Sequence, residues 1–230
     1  MFKRKKLTMT ALFVVFVFVA SCCIYRTAAV RQTLASNTFK VILDAGHGSP
    51  DGGTVGASGT QEKDINLAIV QKLREVLESK GYAVIMTREG DSGLQDESAD
   101  TIRRMKISDM KKRREIIAKS DADLFLSIHM NSFGDPKVSG LHIFYDKSHP
   151  DAEELAGEIQ NKIGDVTGAD THAVKTADES LFLMKNTPIP AILAECGFLS
   201  NPDEEAKLLN DAYQSKIAWA IAEAIENYTK

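Results

Sequence analysis

Apolar positions along this chain follow two rhythms. Within residues 64–80, Ile65, Ala68, Ile69, Leu73, Val76 and Leu77 recur at helical spacing, and Gly81 ends the segment. Leu155, Ile159 and Ile163 predict a helix over 151–163. Ile217, Ile221, Ile225 and Tyr228 do the same for 213–228. Residues 202–209 read as a short helix, and 101–119 as a charged helix without an obvious buried face. The second rhythm is the short apolar run bounded by turn residues. It predicts strands at 40–44, 82–87, 124–128, 141–145, 181–184 and 191–195. Residues 89–100 are an acidic surface loop, and 164–180 a long irregular stretch.

Strands that alternate with helices define an α/β domain with a twisted, mainly parallel sheet of about six strands. The strands lack polar alternation, so helices must cover both faces. In such sheets the ligand site lies beyond the carboxyl ends of the strands.

The chain begins differently. Lys3-Arg4-Lys5-Lys6 precedes an uncharged, mostly apolar stretch at residues 7–25, long enough to span a bilayer. The basic cluster predicts a cytoplasmic N-terminus and an exported remainder, membrane-associated on the extracytoplasmic face. Three fates stay open: an uncleaved anchor, a lipoprotein signal with Cys22 lipidated after Val19-Ala20-Ser21, or a cleaved signal. Residues 1–31 are thus read as a signal or anchor segment and 32–230, opening with a short linker at 32–39, as the catalytic domain. The chain holds 28 basic and 32 acidic residues. Six basic and no acidic ones fall in residues 1–31, so the domain carries 22 against 32, a net charge of −10. That balance argues against nonspecific nucleic-acid binding. With 43% hydrophobic residues the domain can bury a real core. Cys22 and Cys23 lie in the apolar stretch, so Cys196 has no partner for a disulfide within the domain.

Four residues carry candidate chemistry. His47 sits in the turn Asp44-Ala45-Gly46-His47-Gly48, Glu62 follows 15 positions on, His129 closes Leu126-Ser127-Ile128-His129, and Glu195 closes Ala191-Ile192-Leu193-Ala194-Glu195. His47, His129 and Glu195 all fall at strand ends, which gathers them at one sheet edge. Two imidazoles and a carboxylate suit Zn²⁺ with an open fourth position. A further carboxylate then serves as general base. Each residue also has a plainer reading: a turn cap for His47, a half-buried core histidine for His129, and helix N-terminal charge for Glu62. Asp64 and, more weakly, Asp51 rival Glu62 as ligand. Glu195 ends an apolar strand, where an unpaired carboxylate is costly.

Neighbours on a strand face opposite ways, so only one of Glu195 and Cys196 faces the site. Cys196 reads as a packed small hydrophobe. His142 reads as a strand-surface residue, His149 and His172 as solvated loop histidines. Lys111-Lys112-Arg113-Arg114 reads as a solvated helix face, with a hold on an acidic substrate as the lesser alternative.

Together, Asp44-Ala45-Gly46-His47-Gly48-Ser49-Pro50-Asp51-Gly52-Gly53, Glu62-Lys63-Asp64, Ser127-Ile128-His129-Met130-Asn131 and Glu195-Cys196-Gly197-Phe198-Leu199-Ser200-Asn201 resemble the zinc-dependent N-acetylmuramoyl-L-alanine amidases of bacterial cell-wall turnover. The region from Thr87-Arg88-Glu89-Gly90-Asp91 to Arg103 is most similar to germination-specific spore-cortex amidases. Ser49 stands where the family commonly has glycine, and Gln61 where it has an apolar residue. The resemblance implies a twisted sheet flanked by helices, one zinc ion on His47, Glu62 and His129, and Glu195 as catalytic acid–base. It implies hydrolysis of the amide between the lactyl group of N-acetylmuramic acid and L-alanine in peptidoglycan, stripping stem peptides during muramic δ-lactam formation. A lipoprotein activator and a cooperating polysaccharide deacetylase are the partners it suggests. A zinc peptidase cutting within the stem peptide, or a non-catalytic wall-binding module, are the competing readings.

Overall fold

A computed structural model describes residues 38–230, and Phe39–Lys230 forms one compact unit. The apolar stretch at 7–25 and the proposed signal lie outside the described residues. Among the described residues no helix is long and apolar enough to cross a membrane.

The sheet has six strands: β1 (Lys40–Ala45), β2 (Ala83–Met86), β3 (Leu124–Asn131), β4 (His142–Tyr145), β5 (Lys175–Thr176) and β6 (Ala191–Phe198). Their order is β2-β1-β3-β6-β4-β5. The β2-β1-β3-β6 block is parallel, β4 runs antiparallel to β6, and β5 runs parallel to β4. The helices are α1 (Glu62–Ser79), α2 (Ile102–Lys119), α3 (Ala152–Thr167), α4 (Pro202–Leu208) and α5 (Asp211–Tyr228). The expected α/β architecture is the one observed.

Alternation along the strands sorts residues onto two unequal faces. Val41, Leu43, Leu126, Ile128, Ile192 and Ala194 join the apolar stripes of α1, α3 and α5 in the main core. Ile42, Phe125 and Leu193 point the other way, into a smaller cluster with Ile117 of α2 and with Leu183 and Met184. Fully burying a Leu or Ile side chain contributes about 1.5–3 kcal/mol, so the first face dominates stability. Helix α2 buries only Arg113 and Ile117 completely. Little apolar surface holds it down, and its polar anchors must set its position.

Helix α1 begins at Glu62, two residues earlier than the periodicity predicts. Its first N–H groups are satisfied by loop carbonyls, Glu62 N to Thr54 O at 3.0 Å and Lys63 N to Gly52 O at 3.1 Å, and not by a side-chain cap. Asn201 and Asn210 cap α4 and α5 from their side chains. Helix α3 continues past Ile163 to Thr167 and stops at Gly168, whose φ is 69°.

Three sequence expectations fail here. Residues 181–184 are no strand: Phe182–Met184 is a 3₁₀ turn. Asp178 opens it by accepting bonds from the Ser180 and Leu181 N–H groups. Leu183 and Met184 then plug the second face. A four-residue apolar run fits either geometry, and here the turn chemistry decides. The strand missing from the count is β5, hidden in the stretch read as irregular because Lys175 and Thr176 are exposed. The 111–114 run is not wholly solvated either. Arg113 is 1% exposed and Arg114 donates to Phe182 O at 2.7 Å.

Candidate metal centre

The parallel register lines up the chemistry. Ser127 pairs with Asp44 across β1 and β3, and Glu195 pairs with His129 across β3 and β6. Asp44, Ser127, His129, Leu193 and Glu195 share the second face, the one thinly covered by α2 and the 3₁₀ turn. Cys196 points into the main core, 1% exposed. Burial pushes its thiol up and leaves it inert.

The structure brings His47, Glu62 and His129 together, with one ligand-capable atom from each within 4.8 Å of the others. Glu62 bridges the two rings. Its Oε2 lies 3.1 Å from His47 Nε2 and its Oε1 2.9 Å from His129 Nδ1. The carboxylate is 3% exposed and also accepts from Thr54 N at 2.9 Å and Met130 N at 3.1 Å. Burial alone would raise its pKa, but hydrogen bonds from His129 and His47 hold it well below the usual carboxylate range. Burial disfavours a charged His47 ring, yet the bonds to Asp51 and Glu62 lift it to about 9.

His47 takes the left-handed conformation, φ 63°, at a cost of about 1–3 kcal/mol for a non-glycine residue. Two glycines give the ligands room. A Cβ on Gly46 would sit 2.3 Å from the His129 ring, and one on Gly53, whose φ is 71°, 2.4 Å from Glu62 Oε2. Asp64, the ligand rival, faces outward and pairs with Lys63. Asp51 touches the centre only through His47 Nδ1, at 2.9 Å.

Glu195 lies beside this cluster. Burial pushes its carboxyl up to about 7, with His129 opposing that rise, Glu62 reinforcing it and His47 opposing it. Its Oε2 is buried and finds no hydrogen-bond partner among the described residues. Two imidazoles and a carboxylate are the donor set of an open zinc site. A carboxylate behind His47 is the usual orienting partner of a metal-bound histidine. An orphaned acceptor beside three converging donors completes the fit.

A cavity of about 270 Å³ opens from the cluster between α2 and the 3₁₀ turn, walled by Met105, Met110, Phe182, Leu183 and Leu193. His142, expected on the surface, is half-buried and stacks edge-on against His172 and Phe198. His149 is tied to Thr187 O at 3.0 Å, and neither loop histidine reaches the cluster.

Sequence reasoning missed the polar floor. Asp44, 1% exposed, meets Arg113 at 2.5 Å, Ser127 Oγ at 2.5 Å and Thr87 Oγ1 at 2.7 Å. Burial opposes its charge, but Arg113 foremost among these partners lowers it to about 2. Arg88, 4% exposed, belongs to the same floor. A fully polar residue inside the otherwise apolar run Val41-Ile42-Leu43-Asp44 was the available signal for Asp44.

Comparison with known proteins agrees with this architecture. The N-acetylmuramoyl-L-alanine amidase family model matches residues 41–227, and the chain belongs to that family of peptidoglycan-cleaving hydrolases. Among curated relatives, the germination-specific N-acetylmuramoyl-L-alanine amidase of Bacillus subtilis is 38% identical over 188 residues, covering 82% of this chain and 78% of that protein. AmiA of Escherichia coli is 29% identical, covering 82% and 75%. Among solved structures, the CwlD amidase of Clostridioides difficile, in complex with the GerS lipoprotein, superposes with a TM-score of 0.81. It shares 45% identity over 84% of this chain and 98% of that one.

Proposed function

We propose that this amidase is zinc-dependent, with His47, Glu62 and His129 as ligands and Glu195 as general base and then general acid. The observation that carries the reading is the placement of a buried, orphaned Glu195 oxygen next to the two-histidine, one-glutamate cluster. Zinc, when bound, supplies a Lewis acid that polarises the scissile carbonyl and acidifies water.

The chain's own residues do the rest. Glu195 accepts a proton from the attacking water as the lactyl carbonyl carbon is hydrated. It returns that proton to the nitrogen of L-alanine as the amide breaks, leaving a peptide-free glycan and a free stem peptide. Proton transfer of this kind is worth about 10²–10⁴-fold. Asp51 fixes the His47 ring, and Gly46 and Gly53 leave space for the ligands.

Similarity to the germination-specific relative supports a role in the spore cortex, where stem-peptide removal precedes muramic δ-lactam formation and a polysaccharide deacetylase acts on the stripped sugar. The complex formed by the Clostridioides difficile amidase supports a lipoprotein partner. Residues 1–31 act as export signal or anchor in this reading, and residues 32–230 work outside the cytoplasm. Mass analysis of digested peptidoglycan tests the bond cleaved. Released peptides beginning with free L-alanine are expected, whereas cuts within the stem peptide would make the enzyme a peptidase.

A further inference from the structure

The strand that delivers His47 ends before its carbonyls find strand partners. Strand β2 stops at Met86, and Thr87 N closes the ladder on Leu43 O at 3.0 Å. The carbonyls of Ala45, Gly46 and His47 lie beyond it, in a buried place where unpaired acceptors are costly. Two buried guanidinium groups take them, with Asn66 Nδ2 sharing Gly46 O at 3.1 Å. Arg88 donates from Nε to Ala45 O at 2.9 Å and from Nη2 to Gly46 O at 3.1 Å. Its remaining bonds go to Gly90 O at 2.8 Å and Lys63 O at 2.8 Å, the latter next to Glu62. Arg113 donates from Nη1 to Ala45 O at 2.9 Å and from Nη2 to His47 O at 2.5 Å. Asp44 and Asp109 hold its fork in place.

We infer that Arg88 and Arg113 are positioning residues of the metal centre: by bridging three successive carbonyls they hold His47 in its left-handed conformation and so set how tightly the site binds its ion. The inference rests on reading His47, Glu62 and His129 as zinc ligands. The chemistry requires arginine. A planar fork reaches several acceptors in fixed directions, whereas a lysine ammonium keeps the charge but reaches them from a single nitrogen. The clamp also explains why a poorly packed helix carries a buried cation. Arg113 ties α2 to the ligand loop as well as to the sheet.

The test measures zinc affinity of the full chain by competition with a chromophoric chelator, alongside the melting temperature of the zinc-stripped protein. Arg88→Lys and Arg113→Lys are each expected to weaken zinc binding tenfold or more. Ile117→Ala serves as the control, since it opens a cavity under the same helix without touching the clamp. It is expected to lower the melting temperature while leaving zinc affinity within about twofold of the parent. The inference is overturned if both arginine variants bind zinc like the parent. It is equally overturned if Ile117→Ala loses as much affinity as they do for the same drop in melting temperature, because zinc binding would then merely track stability. Should Arg113→Lys fail to fold, Arg88→Lys against the control decides alone. A parent that binds no zinc, or a His47→Ala variant that binds like the parent, would defeat the ligand assignment itself and is read separately.

Discussion

Asp51 Oδ2 lies 2.9 Å from His47 Nδ1, and that one contact turns the opposite ring nitrogen towards Glu62. Lys106 pairs with the other Asp51 oxygen at 2.9 Å and keeps the carboxylate in place. Asp51→Asn is therefore expected to weaken zinc binding by about 10–100-fold, the usual cost of losing an orienting carboxylate. Chelator competition measures it, and an unchanged affinity would show that the contact is incidental.

Gly46 owes its identity to the ring lying against it. Its backbone is not left-handed, so alanine is excluded only by contact with His129. Gly46→Ala is expected to lose bound zinc and hydrolysis together. Overpacking of this kind costs about 1–3 kcal/mol, which leaves a folded protein. Retention of stoichiometric zinc in that variant would mean that His129 can move without consequence.

The Asp44–Arg113 pair makes a pH prediction. Asp44 is lowered from 3.8 to about 2, the attraction of Arg113 and the hydroxyl bonds overcoming the opposing effect of burial. A depressed folded-state pKa contributes stability above the unfolded value and loses it as pH falls through the folded one. The shift corresponds to about 2 kcal/mol, present above pH 4 and lost on the way to pH 2. Denaturant unfolding of zinc-stripped protein across that window should show the loss. Asp44→Asn should remove this part of the slope and also lower stability near neutral pH by about 1–3 kcal/mol, because Arg113 stays buried with only Asp109 as counter-charge. A variant as stable as the parent at pH 7 would contradict the account of the floor.

Cys196 makes a prediction about what does not matter. It is 1% exposed in the main core, behind the strand from Glu195. Peptide mapping after alkylation should find Cys196 unmodified in the native protein and modified after unfolding. Native-state labelling at that position would place it outside the core.

What could be read from the sequence follows physical lines. His47, His129 and Glu195 were legible because each ends an apolar run or sits between glycines, where side chains must serve something other than packing, whereas Glu62, in a polar stretch with Asp64 as a rival, was singled out by the family resemblance. The stripes of α1 and α5 were legible because the main core takes its helices at ordinary spacing. Arg113 was not legible. In a run of four cations, composition gives no sign of which one faces inward. The clue is fainter: Met110, Arg113 and Ile117 share one side of α2, so an inward stripe passes through a cation. Residues 181–184 misled for a different reason, since Asp178 and not the apolar run sets their geometry. The short β5 carries two exposed residues and no periodic signal.

Zinc stoichiometry of the purified full chain, measured beside His47→Ala and Glu195→Gln, tests the metal centre most directly. One ion per chain is expected for the parent and for Glu195→Gln, with little or none in His47→Ala. A parent without zinc after loading, or a His47→Ala protein that holds as much as the parent, would contradict the assignment of these side chains to a shared ion.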